Sequence, residues 1–194
     1  PIRKYAAAQS AHERNELNME SFGLDGLGCR GDSYSEAQLA AVRSWLDAFK
    51  SSLLSRFDEA YALQLFEKYA LAFPAAYTED FQADAAALDV TFLEAVEKEP
   101  ARLHLDIYRP DARRKDRFFL KIFRNQDAIP ISDLLPMLEN MGLKVIAERP
   151  YELEFPAGRR AWVQDLELVM QSSAVNQFDA LQREIKSAFT AVWT

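Results

Sequence analysis

The chain has 194 residues, and 49% of them are hydrophobic, which is enough apolar material for a packed core. Its formal net charge of -7 argues against a nucleic-acid partner, because contacts to phosphates need clustered lysines and arginines. Cys29 is the only cysteine, so an intramolecular disulfide is excluded, and we expect a reduced, cytoplasmic setting. No apolar run approaches the roughly 18 residues that span a membrane, so we expect no membrane partner.

Residues 1–33 show weak hydrophobic periodicity and end in the glycine-rich stretch "FGLDGLGCRGDS". We expect an arm that is poorly ordered or docked on a neighbouring part. Within it, "GLGCRG" at 26–31 matches the G-x-G-x-x-G pattern of dinucleotide-binding loops, which requires a buried strand before it. The preceding residues are polar and do not predict such a strand, so a flexible turn is the better interpretation.

Residues 34–99 form a predicted helical segment with three helices. Apolar residues of the first helix recur at steps of three and four: Leu39, Val42, Leu46, Phe49 and Leu53. The second helix has the same spacing from Tyr61 to Phe73 and ends at Pro74. The stretch "YTEDFQ" at 77–82 predicts a turn, and an alanine-rich third helix then stops before Pro100.

After Pro100 the hydrophobic period changes from that of a helix to that of a strand. The stretches "ARLHLDIYRP" and "RFFLKIFRN", with a polar turn between them, predict a hairpin. Its inward-facing set is Leu103, Leu105, Ile107, Phe118, Leu120 and Ile122.

The next stretch, "IPISDLLPMLENMGLKVIAERPYEL", predicts a helix followed by a strand. Ser132 is a suitable N-cap, and Gly142 is a natural stop after the helix. The following strand is predicted to bend at Pro150. A fourth strand, "RAWVQDLELVM", and a final amphipathic helix from Phe178 to Val192 complete the chain.

From residue 100 to 194 the predicted order is strand, strand, helix, strand, strand, helix. This order is typical of an α+β fold with a four-stranded antiparallel sheet and two helices on one face, of ferredoxin-like type. The usual final strand, which lies beside the first, is missing here. The strand at 102–109 can fill that edge position, so we predict a permuted version of the fold after the helical segment.

Aromatic side chains occupy the sheet face opposite the predicted core. Tyr108, Phe119 and Phe123 all project there, and such a face should not be left in water. Three alternatives follow: the preceding helices cover it, another subunit or domain covers it as an interface, or it is a ligand platform.

Polar residues on the strands offer weaker candidates for chemistry. His104 and Asp106 share a strand face and could form an acid–base pair, although a surface or interface histidine is the better interpretation. Asp165 and Glu167 share a face with Val163, and we expect these carboxylates to face solvent or a partner.

Several stretches resemble the large bacterial NAD-specific glutamate dehydrogenases. They are "LFEKYALAFPAAYTEDF", the run from "RFFLKIFRN" to "QDLELV", and "FDALQREIKSAFTAVW"; "LPMLENMGLKVIAERPYE" is the most specific piece. The resemblance covers roughly residues 40–194. The family oxidatively deaminates L-glutamate to 2-oxoglutarate and ammonia with NAD, and its long subunits carry ACT-like modules ahead of the catalytic domain.

The resemblance implies a non-catalytic regulatory or assembly module, because no catalytic residue of the family can be carried over to this chain. It implies NAD as cofactor of the parent enzyme, with none in this chain. The implied partners are other domains of that enzyme, further copies in a homo-oligomer and a possible amino-acid effector. Two alternatives stay open: an amino-acid-sensing ACT domain that acts allosterically, and a purely structural oligomerisation module.

ACT modules often bind an amino acid at the loop between the first strand and first helix, where a glycine lets backbone amides approach the ligand. The corresponding loop is "NQDAIPIS", and it has no glycine. A loop that only connects and caps is therefore the better interpretation. If a ligand binds, the candidate residues are Asn125, Gln126, Asp127, Ala128 and Ser132.

Overall fold

The computed structural model of the chain describes residues 36–110, 113, 116–125, 127–170 and 178–192. The predictions made for residues 1–33, including the glycine-rich loop, lie outside these ranges. The chain divides into two compact units, Pro1–Asp47 and Ala48–Thr194, and the packing described below belongs to the second unit.

The described residues before the sheet form helices α1 at Glu36–Arg56, α2 at Glu59–Tyr69, α3 at Ala75–Asp80 and α4 at Ala83–Lys98. Helix α2 begins at a capping residue, because the Asp58 carboxylate accepts a hydrogen bond from the Tyr61 N–H at 3.1 Å. The fully buried ring of Phe49 meets Phe73 edge to face, with centroids 5.7 Å apart. Aromatic contacts of this kind pack the helical segment.

The prediction of a turn at 77–82 is wrong, because α3 occupies Ala75–Asp80. The backbone N–H groups of Tyr77 and Thr78 donate to the carbonyl of Pro74, which starts the helix. The Tyr77 ring is fully buried and packs edge to face on Tyr151 of the sheet at 5.3 Å. Burial of this one ring favours a helical turn over the polar loop that local composition predicts.

The sheet contains β1 at His104–Tyr108, β2 at Arg117–Asn125, β3 at Leu143–Glu154 and β4 at Arg160–Met170. Its order is β1-β2-β4-β3, and each neighbouring pair is antiparallel. Strand β1 pairs with β2 at the edge where the usual final strand would lie. The predicted permuted α+β fold is therefore confirmed.

The core face of the sheet is covered by α5 at Ile131–Asn140 and α6 at Phe178–Val192. All six inward residues predicted for the hairpin are buried there, with Leu134 and Leu138 of α5 and Ile185 and Phe189 of α6. Helix α5 ends at Asn140, and Gly142 follows the C-cap residue Met141 with a φ of 75°, which favours glycine and agrees with the predicted stop. Val192 was expected on the buried stripe but is 61% exposed at the last turn of α6.

Strand β3 does not bend where the sequence predicted. Pro150 pairs in register with Gln164, and the irregularity lies instead between Val145 and Ala147. Because β3 is an edge strand, the Pro150 nitrogen, which has no hydrogen to donate, can face away from the sheet without interrupting the ladder.

The second face of the sheet is covered by the preceding helical segment. Phe123 has no exposed surface, and its ring stacks on Phe92 of α4, with centroids 4.9 Å apart and planes 10° from parallel. The structure thus has the first of the three alternatives at Phe123, while Tyr108 and Phe119 on the same face are half-buried. The centre of the sheet is therefore buried on both faces.

Replacing Phe123 with alanine should lower the free energy of unfolding by about 3–5 kcal/mol, because a cavity opens beneath α4. Phe119→Ala is the matched control, since this ring lies on the same strand and face but is half-buried, and it should cost about 1–2 kcal/mol. Urea denaturation of the two variants measures both values. Equal losses would contradict the tight packing of Phe123 on α4.

Candidate functional site

The β2–α5 loop is tied to the helical segment at its first residue. The Asn125 side chain, at the end of β2, donates a hydrogen bond from Nδ2 to the carbonyl of Val96 in α4 at 3.2 Å. This residue was predicted as a ligand contact, and the structure places it half-buried in a structural contact. The loop therefore starts from a fixed point.

The other candidate residues of the loop lie at its surface. Asp127 is exposed, and its N–H donates to the Asn125 carbonyl at 3.1 Å; Ala128 is half-buried. Gln126 lies outside the described residues. Ser132 is not the N-cap, because α5 begins at Ile131 with Pro130 in the capping position. The Ser132 hydroxyl donates to Asp133 Oδ1 at 3.2 Å instead.

Gln164 on β4 holds the centre of the loop and was missed by the sequence analysis. Its Oε1 accepts from the Ile129 N–H at 2.7 Å, and its Nε2 donates to the Ile129 carbonyl at 2.8 Å. Nε2 also donates to Glu148 Oε1 at 2.8 Å, and Gln164 is 1% exposed. The available signal was its position in the strand, because it shares the core-facing parity of Leu166 and Leu168.

These contacts decide what the loop can bind. The backbone N–H and carbonyl of Ile129 would be natural partners for the polar ends of an amino acid, but the Gln164 carboxamide occupies both. Among the described candidate residues, the Asp127 carboxylate and the Ser132 hydroxyl are exposed. The described part of the loop thus has the backbone of Ile129 engaged and an acidic group at its surface.

A buried ion pair joins the helical segment to the second face of the sheet. Lys121 of β2 donates from Nζ to Asp89 Oδ2 of α4 at 2.6 Å, and these side chains are 3% and 1% exposed. The same Oδ2 accepts from the Tyr77 hydroxyl at 2.6 Å. The Lys121 ammonium also lies 3.8 Å from the centre of the Phe81 ring, which attracts the charge.

The predicted interface aromatics are part of the same layer. Tyr108 donates from its hydroxyl to Asp165 Oδ1 at 2.9 Å and stacks on Phe119 at 5.3 Å between centroids. Asp165 is 2% exposed, so the expectation that it faces solvent or a partner chain is wrong. It is covered because α3 and α4 lie over this face. Burial raises the pKa of Asp165 to about 6.

The remaining polar candidates on this face do not form a catalytic pair. Among the described residues, the buried Nε2 of His104 has no hydrogen-bond partner, so Asp106 does not engage it. Burial and the nearby Arg102 lower the pKa of His104, while burial raises the pKa of Asp106. Glu167 is engaged by the guanidinium of Arg117.

A second set of contacts joins the helices to the hairpin between β3 and β4. Glu97 of α4 is contacted by both Lys68 of α2 and Arg159 of the hairpin. Tyr69 meets Phe155 edge to face, with centroids 5.4 Å apart. The helical segment is therefore anchored to the sheet at its centre and at one end.

A groove of about 280 Å³ lies between α2 and α4, beside Phe57 and Tyr61. Two carboxylates line it: Glu94 accepts hydrogen bonds from Lys68 at 2.5 Å and from Tyr69 at 2.8 Å, and Glu99 is paired with Arg102 at 3.3 Å. Since both carboxylates are already paired, the groove offers little chemistry of its own.

In the part of the chain that the structure describes, no group of three or more His, Cys, Asp or Glu side chains is placed to hold a metal ion. Nor does any helix there have the length and apolar content needed to cross a membrane.

Comparisons with known proteins divide the chain at the same place as the fold. A family model described as "Glutamate dehydrogenase, helical motif 2" matches residues 52–96, and one described as "Glutamate dehydrogenase, ACT3 domain" matches residues 102–181. An NAD-specific glutamate dehydrogenase of Halomonas elongata is 34% identical over 158 residues, which is 81% of this chain and 10% of that protein. That of Pseudomonas aeruginosa is 29% identical over 157 residues, again 81% and 10%.

The sheet and its two helices thus define an ACT-type α+β domain that follows a helical motif. The chain belongs to the NAD-specific glutamate dehydrogenase family, and it spans about a tenth of the length of the curated relatives that it matches.

Gln164→Leu should lower the free energy of unfolding by about 2–4 kcal/mol, because it leaves both backbone groups of Ile129 unpaired. Gln182→Leu is the control, since Gln182 makes one 3.0 Å bond to the Ile107 carbonyl and should cost about 1 kcal/mol. Urea denaturation gives the two losses, and hydrogen exchange should report faster opening at Ile129. Unchanged exchange there would show that Gln164 does not hold the loop.

Proposed function

We propose that this chain serves as a non-catalytic regulatory or assembly module of a large NAD-dependent glutamate dehydrogenase. The proposed parent enzyme oxidatively deaminates L-glutamate to 2-oxoglutarate and ammonia, with its NAD site outside this chain. The proposal includes a cytoplasmic location for the parent enzyme. Its partners would be other domains of the enzyme and further copies of the subunit.

The contact between the helical segment and the sheet carries the proposal. Each partner contributes a buried charge, Asp89 from the helices and Lys121 from the sheet, so a small shift of the helices that keeps the interface closed would leave both charges buried without a close partner. A displacement of the helices is therefore passed to the sheet. A module that transmits or fixes the positions of other domains needs such a stiff contact, whereas a flexible linker does not.

A sensor of amino acids is the alternative function, and the exposed carboxylate of Asp127 and hydroxyl of Ser132 favour it. These groups could accept and orient an ammonium group at the start of α5. Against it stands the Gln164 carboxamide, which a ligand would have to displace from Ile129. Regulation by such a ligand requires different affinities for two states of the enzyme.

A purely structural role in the oligomer is favoured by the edge of the sheet. Strand β3 has 12 residues and no neighbour on its outer side within the described sheet. Ile146 at its irregularity is 44% exposed. Open edge strands pair readily with strands of other chains.

An assembly role predicts a defect when the buried ion pair is broken in the parent enzyme. Lys121→Met leaves Asp89 buried without its cation, at a cost of about 3–5 kcal/mol to the module. We expect a smaller assembled fraction by mass photometry, and recovery in the double variant Lys121→Met, Asp89→Asn. Lys98→Met, at an exposed position at the end of α4, is the control. A Lys121→Met enzyme that assembles and turns over like the wild type would refute the proposal.

Thermal-shift measurements separate assembly from sensing. With Gln164 in place we expect none of the twenty amino acids, 2-oxoglutarate or NAD to raise the melting temperature of the chain. A ligand at about 100 times its Kd would stabilise the fold by roughly 2.7 kcal/mol. For a chain of this size that is a shift of very roughly 5–10 °C.

A shift of that size with one amino acid would favour the sensor if Asp127→Ala abolishes it. Glu139→Ala, which removes an exposed carboxylate at the far end of α5, is the matched control and should leave any such shift unchanged.

A further inference from the structure

The layer between the helical segment and the sheet holds more acid than base. Its buried carboxylates are Asp89 of α4 and Asp165 of β4, while Asp106 of β1 is half-buried and Asp80 of α3 is exposed. The cations that act on them are Lys121 of β2, Arg149 of β3 and Lys186 of α6, and of these three Lys121 alone is buried. With these groups ionised, two fully buried carboxylates share one buried cation.

The tyrosines of the layer supply hydroxyl groups and no further positive charge. Tyr77 donates to Asp89, Tyr108 to Asp165 and Tyr151 to Asp80, the last at 2.6 Å. These hydrogen bonds lower the cost of burying the carboxylates but leave the excess charge in place.

Asp165 is the least compensated of the buried carboxylates. Asp89 holds the Lys121 ammonium at 2.6 Å, and Asp165, which faces Lys121 across the β2–β4 ladder, has only a part of its influence. The Arg149 guanidinium lies 3.9 Å from Asp165, beyond hydrogen-bonding distance. The Arg149 side chain is 43% exposed and solvated, while that of Asp165 is 1% exposed. A buried carboxylate without a close cation is costly when charged, and a proton removes that cost.

We propose that this interface is a proton-operated latch, in which Asp165 takes up one proton and thereby tightens the packing of α3 and α4 on the sheet. Loss of the proton loosens the same contact. The latch belongs to the chain itself and does not depend on the function proposed for the parent enzyme.

The direction of the effect follows from the two environments of the carboxyl group. Burial raises the pKa of Asp165 from 3.8 to about 6 in the packed state, and exposure to water on opening restores the ordinary value. The packed state therefore binds more protons between about pH 4 and 6. Packing strengthens as the pH falls through this window, and the gain is lost as the pH rises through about 6.

The other acids of the layer act in the same direction. Burial also raises the pKa of Asp89 and of Asp106, against the opposing charge of Lys121. For one proton with these two pKa values, the opening equilibrium should be about tenfold less favourable at pH 5 than at pH 7.

Hydrogen exchange and carboxyl NMR on the full chain test the latch. We expect the amides of Phe119–Phe123 in β2 to open about tenfold less often at pH 5 than at pH 7, after correction for intrinsic exchange. The carboxyl carbon of Asp165 should titrate near pH 6. Asp165→Asn keeps an acceptor for Tyr108 and should remove most of the pH dependence, leaving the smaller part that Asp89 and Asp106 contribute, whereas the exposed Asp133→Asn should retain all of it.

Three results would overturn the proposal. The first is an Asp165 carboxyl that titrates near pH 4, and the second is a pH response that is as large in Asp165→Asn as in the wild-type chain. The third is an equal response at the amides of α5 and α6, which would mean a general change of stability. If Asp165→Asn does not fold, the titration of Asp165 in the wild-type chain decides, and none of these readouts involves enzyme activity.

Discussion

The fold depends on one contact, the ion pair between Lys121 of the sheet and Asp89 of α4. Both side chains are almost fully buried, and aromatic rings enclose the ammonium group. Neither charge can be hydrated unless the helices separate from the sheet, so the ion pair holds the helical segment and the sheet together. The stacking of Phe92 on Phe123 adds apolar contact on the same side. The central sheet is thus enclosed between α4 on one face and α5 and α6 on the other.

The permuted topology explains how the two modules come to share a layer. Strand β1 occupies the edge that a final strand would otherwise fill, and it follows α4 after a short connection. The chain therefore enters the sheet directly from the helix that covers it. Asn125 adds a tie at the far end of β2 by binding the Val96 carbonyl.

The loop between β2 and α5 corresponds to the loop at which ACT modules often bind an amino acid, but the contacts of its described residues here are structural. An open loop with free backbone groups would receive a small ligand, but here Gln164 and Asn125 hold it from both sides. What remains accessible is the short acidic surface around Asp127. The same residues that favour rigidity at this position disfavour a binding pocket, which is why we propose assembly rather than sensing for this module.

Sequence alone determined the order and type of nearly every element, because hydrophobic periods of about 3.6 and 2 depend only on local spacing. It also determined the permuted order and the core face of the hairpin. Three features were decided by tertiary structure: the helix at α3, the burial of Asp165, and the Gln164 clamp on Ile129. Each depends on partners far away in sequence, since Tyr77 meets Tyr151, Asp165 meets Tyr108 and Gln164 meets Ile129. Period-2 patterning tells which residues share a face of a strand, but only the packing of a second layer tells whether that face meets water.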